Sequence, residues 1–255
     1  MRKPFVYDVG GVLSADIAVP EHERELAFYS KVLTTGAVPL WRDDLLNNLG
    51  SPVIGLGART PEYDTLPLQW FPHFQVADVA ASAARAVDLG GKEIMHGKDA
   101  HGESLWAVIV DPDGAAFGII PVVPCNFESA QQDVRQGCIS WLSLIVPNAS
   151  ASRDFYQQVV GWKAKSLEKQ KSDELAMKFE MQIDNETIAA EIVQCSGEQI
   201  NIPSVWLIHL PVGDLEESVR RVNQGGGEVV KEFAEPKYAI VRDPVGVHLA
   251  LQAGK

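Results

Sequence analysis

With 255 residues, 46% of them apolar, the chain has enough material for a buried core, and its formal charge of −12 disfavours contact with a phosphate backbone. No stretch approaches the ~20 consecutive apolar residues of a membrane span, and the start "MRKPFVYDVGG" has no apolar run of leader length, so a cytoplasmic protein without membrane or nucleic-acid partners is expected. Cys125, Cys138 and Cys195 lack CxxC spacing and suit neither a disulfide framework nor a zinc knuckle.

The first element is a strand over "LSADIAV", followed by Pro20 and a helix that carries Phe28 and Tyr29. Next, "WFPHFQV" reads as a strand and Asp78 as the N-cap of a helix with Ala80, Ala83, Ala84 and Val87 at helical spacing. Gly90 stands where a left-handed C-cap is expected. "SLWAVIV" alternates as a strand, and the Asp-Pro-Asp-Gly turn at Asp111 runs into the apolar "AAFGII". Residues 122–136 are polar, contain proline and lack periodicity, which suits a linker.

The grammar then repeats. Val19-Pro20 recurs as Val146-Pro147 and Phe28-Tyr29 as Phe155-Tyr156, each 127 positions on, with Asn148 as N-cap and Gly161 as the stop. The run "LEKQKSDE" reads as a solvated loop and "LAMKFEMQI" as a strand. Trp70–Ile94 lines up with Trp206–Val230 at a separation of 136, with Asp214 as N-cap and Gly225 as the stop. A second Asp-Pro-x-Gly turn at Asp243 lies 132 positions after the first. The repeating unit is therefore β-α-β-β-β, present four times, and the architecture expected is α+β in two tandem domains, 1–121 and 137–255.

These four units, the "FY" of the first helix, the "VxD" that opens the second, the "GG" after it and the "DPxG" turn resemble the vicinal oxygen chelate superfamily. That group contains glyoxalase I, bleomycin-resistance proteins and extradiol dioxygenases. The resemblance covers nearly the whole chain and implies that two βαβββ modules form a half-open β-barrel cleft in each domain. It also implies a metal held by His or Glu on first and last strands in the lyases, isomerases and dioxygenases of the group. The family's first-strand rule selects Ser14, Phe71, Trp141 and Leu207 here, and its last-strand rule selects Gly118 and Ala250. None of these is a good ligand for a divalent ion, so no metal and no other cofactor is expected. Gly55 or Gly57 and Glu191 or Val193 are the candidates for the remaining strand.

Residues two away from a ligand position still face the cleft. His73, His209 and His248 are such residues. If ligand positions stand abreast, His209 and His248 are offset by about 13 Å and share no ion. Asp16 lies on the face of Ser14, and the pseudo-twofold between modules sets it opposite His73. Such a dyad either supplies a general base or satisfies two polar groups. The cleft lining expected is Ser14, Phe71, Trp70, Gly118, Trp141, His209, Glu191 and His248, with Asp16 and His73 as the catalytic candidates. The leading expectation is metal-free binding of a small organic molecule in the first-domain cleft by a monomer or homodimer. The alternatives are a metal-dependent lyase, isomerase or dioxygenase, and a metal-free acid-base enzyme using Asp16 and His73.

Overall fold

The computed structural model describes residues 6–41, 54–124, 138–167, 177–194 and 202–254. The expected linker from residue 125 onward, and the polar run from 168 onward, lie outside the described residues. In chain order the elements are β1 (Val12–Val19), α1 (His22–Leu33), β2 (Ile54–Ala58), β3 (Phe71–Val76), α2 (Val79–Asp88), β4 (Lys92–Lys98), β5 (Ser104–Val110) and β6 (Ala116–Pro121). The second half supplies β7 (Trp141–Val146), α3 (Ala149–Val160), β8 (Lys163–Leu167), β9 (Met177–Gln182) and β10 (Ile188–Gln194). It ends with β11 (Trp206–Val212), α4 (Leu215–Gln224), β12 (Glu228–Phe233), β13 (Tyr238–Arg242) and β14 (His248–Ala253). Three modules are complete βαβββ units, and the first shows β1, α1 and β2 among the described residues. The class is α+β, and the strand ladders are open rather than closed barrels. No helix of the described residues is long and apolar enough to cross a membrane.

The expected N-caps form. Asp78, Asn148 and Asp214 accept from the N–H groups of Ala81, Ala151 and Glu217 at 2.9, 3.1 and 3.0 Å, each satisfying a donor that the first helical turn leaves free. Gly90 and Gly161 adopt the left-handed conformation expected of them, with φ 90° and 91°. Gly225 does not. In the Gly225-Gly226-Gly227 run, the left-handed position moves one residue on, to Gly226 at φ 88°.

The chain divides into two compact units. Unit 1 comprises residues 1–13, 71–125 and 141–206, and unit 2 residues 14–70, 126–140 and 207–255. Unit 1 thus gathers the second and third modules, with α2 packed on α3, in ladders β3-β6-β5-β4 and β7-β10-β9-β8. Unit 2 gathers the first and fourth modules, with α1 packed on α4, in ladders β1-β2 and β11-β14-β13-β12.

Each unit contains the same buried relay. In unit 1, the Trp206 indole N–H donates to Tyr156 Oη at 2.9 Å, and the Tyr156 hydroxyl donates to Asp111 Oδ2 at 2.9 Å. Asp111 Oδ1 closes its own turn by accepting from the N–H groups of Asp113 and Ala115. In unit 2, Trp70 donates to Tyr29 at 3.1 Å, Tyr29 to Asp243 at 2.8 Å, and Asp243 Oδ1 accepts from Val245 and Val247. The tyrosine of each "FY" therefore meets the aspartate of the "DPxG" from the other tandem half. Phe74, Tyr156, Trp162 and Trp206 pack edge-on and tilted around the first relay, with Phe74 4.8 Å from Trp162 and 5.4 Å from Trp206. This arrangement shields the hydroxyl and satisfies each polar atom at once.

Candidate functional site

The cleft-facing strands begin each module, and in every module the first strand pairs in parallel with a later one. In unit 2, Asp16 on β1 stands opposite Gly55 on β2. A Cβ on Gly55 would collide with Asp16 Oδ1, so the glycine leaves room for the carboxylate. Unit 1 repeats the device with other chemistry: His73 on β3 stands opposite Gly118 on β6, and a Cβ on Gly118 would collide with the imidazole. Phe71, two residues before His73 on the same face, lies with its ring 5.7 Å from the imidazole. Asp16, Ser14 and His73 are half-buried, whereas Phe71 is buried.

The remaining two pairs differ. In unit 1, Ser143 on β7 is opposite Glu191 on β10, and Lys178 Nζ from β9 lies 2.6 Å from Glu191 Oε2. This is a charge contact rather than an aligned hydrogen bond. The Glu191 side chain is only 11% exposed, so the lysine supplies the positive charge that such a carboxylate requires. Trp141 is buried two residues before Ser143, hence on the same face. In unit 2, buried His209 on β11 is opposite Ala250 on β14, and its ring lies 5.1 Å from Tyr238, which stacks on Phe233 at 4.4 Å. Ser140 anchors the strand entrance: its N–H donates to the His209 carbonyl at 2.8 Å and its hydroxyl to Gln252 Oε1 at 2.7 Å.

The observed register corrects one expectation. His73 and His209, not Phe71 and Leu207, stand opposite Gly118 and Ala250. Ladder hydrogen bonds set the register, and a two-residue shift preserves the face, so alternation alone does not reveal it. His248 is consequently offset from His209 by two residues, about 6.6 Å of strand rise, rather than four. Its imidazole is held below the ordinary histidine range, first by burial and then by Arg242, its cross-strand partner. Trp70 is wholly buried, and its N–H belongs to the Tyr29 relay, a core position.

These donors do not fit the divalent ion that the fold family uses. In the observed register the paired positions offer His73 and Glu191 in unit 1 and Asp16 and His209 in unit 2, and their partners Gly118, Ser143, Gly55 and Ala250 add no good ligand. Among the described residues, no three His, Cys, Asp or Glu side chains are grouped to hold a metal. Lys178 is the residue that sequence reasoning missed. Its signal is the alternation Lys178, Glu180, Gln182 against Phe179 and Met181 along β9. Replacing Lys178 by Met, which keeps the stem and removes the charge, is expected to destabilise the protein by about 1–3 kcal/mol through loss of the positive charge beside the nearly buried Glu191 carboxylate, as read by urea unfolding. The double replacement with Glu191→Gln should restore most of that loss.

A sequence profile described as the Glyoxalase/Bleomycin resistance protein/Dioxygenase superfamily matches residues 138–251, and one described as a Glyoxalase-like domain matches residues 13–120. The anthracycline biosynthesis protein DnrV of Streptomyces peucetius is 29% identical over 185 residues, which are 71% of this chain and 64% of that protein. The chain thus spans less than two thirds of that relative's length. Among solved structures, 2,2',3-trihydroxybiphenyl 1,2-dioxygenase of Sphingomonas wittichii is similar with a TM-score of 0.56 and 13% identity, covering 97% of this chain and 91% of that one. The Mn(II)-bound glyoxalase of Novosphingobium aromaticivorans has a TM-score of 0.52 and 15% identity, covering 96% and 82%.

Proposed function

Because the chain belongs to the glyoxalase/bleomycin resistance protein/dioxygenase superfamily as two tandem domains, yet shows no fitting set of metal donors among the described residues, we propose that it binds a small planar organic molecule, without a metal, on the first-domain face formed by β3 and β6. The observation that carries this reading is Gly118: the family's acidic position has become a residue without a side chain, and the space is given to His73. An imidazole beside Phe71 offers one polar anchor and one aromatic face, which suits a flat ligand with a hydrogen-bonding edge. The name of DnrV points the same way, toward polycyclic aromatic chemistry. The domain limits proposed are 1–121 and 137–255, in a cytoplasmic monomer or homodimer.

Calorimetric titration with an anthracycline-type polycyclic aromatic, with and without EDTA, tests the proposal. Saturable binding unchanged by the chelator is expected. Phe71→Ala and His73→Ala should each weaken it about 10-fold, the equivalent of 1.4 kcal/mol. Gly118→Val should abolish it by displacing the imidazole. Binding that disappears with EDTA and returns with a divalent ion would sink the metal-free reading.

A second reading, acid-base catalysis, is favoured by one observation: each of Asp16 and His73 is given space by a glycine in its own ladder. Here His73 accepts a proton from a molecule bound in unit 1, and Asp16 is the equivalent proton acceptor of unit 2. Turnover with a pH profile that loses one limb in His73→Gln would establish it, and binding without turnover would leave the first reading.

A further inference from the structure

The β4–β5 hairpin of unit 1 carries a second group of polar residues, separate from the pairs described above. His96 on β4 lies between two partners. Its Nε2 is 2.8 Å from Ser104 Oγ on β5, and its Nδ1 is 3.1 Å from Glu93 Oε2. The imidazole is only 14% exposed, whereas the Glu93 side chain is 37% exposed, so the ring is held between a shielded hydroxyl contact and a carboxylate open to water. With Nδ1 protonated and donating to Glu93, Nε2 is left as the acceptor for the Ser104 hydroxyl. The cross-strand register shifts between Gly97 and Lys98, and Leu105 has no partner across the ladder. Leu105 is therefore the extra residue of a bulge, which bends the strand beside Ser104. Leu105 and Trp106 are exposed large apolar residues beside that serine.

We propose that Ser104, His96 and Glu93 form an acyl-transfer site for activated carboxylic esters with a short apolar acyl group. Ser104 Oγ attacks the ester carbonyl, and its proton passes to His96 Nε2. The tetrahedral oxyanion forms on the water-exposed side of the hairpin, where solvent donates to it. Collapse breaks the ester C–O bond, the leaving alkoxide takes the proton from Nε2, and the acyl group remains on Ser104. Water, deprotonated by the same Nε2, then releases the carboxylic acid and restores the hydroxyl. Ser104 and His96 are the catalytic residues, and Glu93 is a positioning residue that acts through the ring. Nothing in this site depends on the ligand face of β3 and β6.

The test uses the full chain with p-nitrophenyl acetate, reading p-nitrophenolate release by absorbance and the acetyl group by peptide mass spectrometry. One equivalent of fast release, with the acetyl on Ser104, is expected. Ser104→Ala should remove the fast phase, and His96→Gln should slow it by about 100-fold or more. Glu93→Gln should slow the acylation step about 10-fold with KM unchanged, and Glu93→Asp should recover most of the rate, a kcat-against-KM split that a merely structural role would not produce. Circular dichroism of each variant reports its folding. Wild-type release that survives Ser104→Ala, or acetyl found on lysines instead of Ser104, would overturn the proposal.

Discussion

Asp111→Ala is expected to lower the unfolding free energy by about 3 kcal/mol or more, measured by urea denaturation at pH 7. The carboxylate is buried and accepts from three donors: the Tyr156 hydroxyl and the N–H groups of Asp113 and Ala115. Alanine leaves the buried hydroxyl and the Ala115 N–H without an acceptor, and each buried orphan costs about 1–3 kcal/mol. The loss is reduced by relief of the carboxylate's own burial, which has raised its pKa to about 6 against the pull of those same donors. Asp111→Asn retains an acceptor for the turn and should lose about half as much. Tyr156→Phe isolates the remaining link, since it removes the acceptor of the Trp206 N–H as well as the donor to Asp111. If Asp111→Ala unfolds at the wild-type midpoint, the relay does not stabilise unit 1.

The second large effect is a dependence of stability on pH that comes from unit 2. Glu25 on α1 is wholly buried, and no donor reaches either of its carboxyl oxygens. The charged and titratable groups around it are Asp243, Arg24 and Glu21, with the Tyr29 hydroxyl on Asp243. Asp243 receives three donors and Glu25 none, so the proton resides on Glu25 and is offered to Asp243. Burial first, and the Asp243 charge second, push the Glu25 pKa from 4.5 up to about 8, and burial raises Asp243 as well. The folded-state pKa lies above the unfolded one, so this contribution is fully present below about pH 4.5 and is lost as pH rises toward 8. In that window stability should fall by about 1.4 kcal/mol for each pH unit. Glu25→Gln, which cannot ionise, should flatten the slope. The third module makes the comparison natural, because the counterpart of Glu25 is Ser152, whose hydroxyl donates to Asp113 at 2.9 Å. Equal slopes for the wild type and Glu25→Gln between pH 5 and 8 would rule out the buried proton.

Much of the architecture was legible from one sequence because it rests on local rules. Three N-caps follow from an Asp or Asn one residue before an apolar period, and three complete βαβββ units, with the β1-α1-β2 of a fourth among the described residues, follow from repeated spacing. The misread cap at Gly225 shows the limit of that logic, since three consecutive glycines offer equivalent backbone freedom and only the closing hydrogen bonds choose among them. Alternation likewise puts Phe71 and His73, and Trp141 and Ser143, on shared strand faces, whereas Trp70 is a core residue. The register was not legible. His73 against Gly118 and His209 against Ala250 depend on how two distant strands slide, which a period of two leaves open.

The sequence by itself determined the repeat, the four helices and the turns that precede β6 and β14. Only the tertiary structure decided why the repeated motifs have their particular residues. Phe28-Tyr29 read as core packing and Asp-Pro-x-Gly as a turn, and both readings hold locally. Neither contains the fact that Tyr29 donates to Asp243, 214 positions away, and Tyr156 to Asp111. A buried hydroxyl and a buried carboxylate must each find a partner, and the one they find is set by which modules pack together, a long-range choice that no window of local sequence encodes.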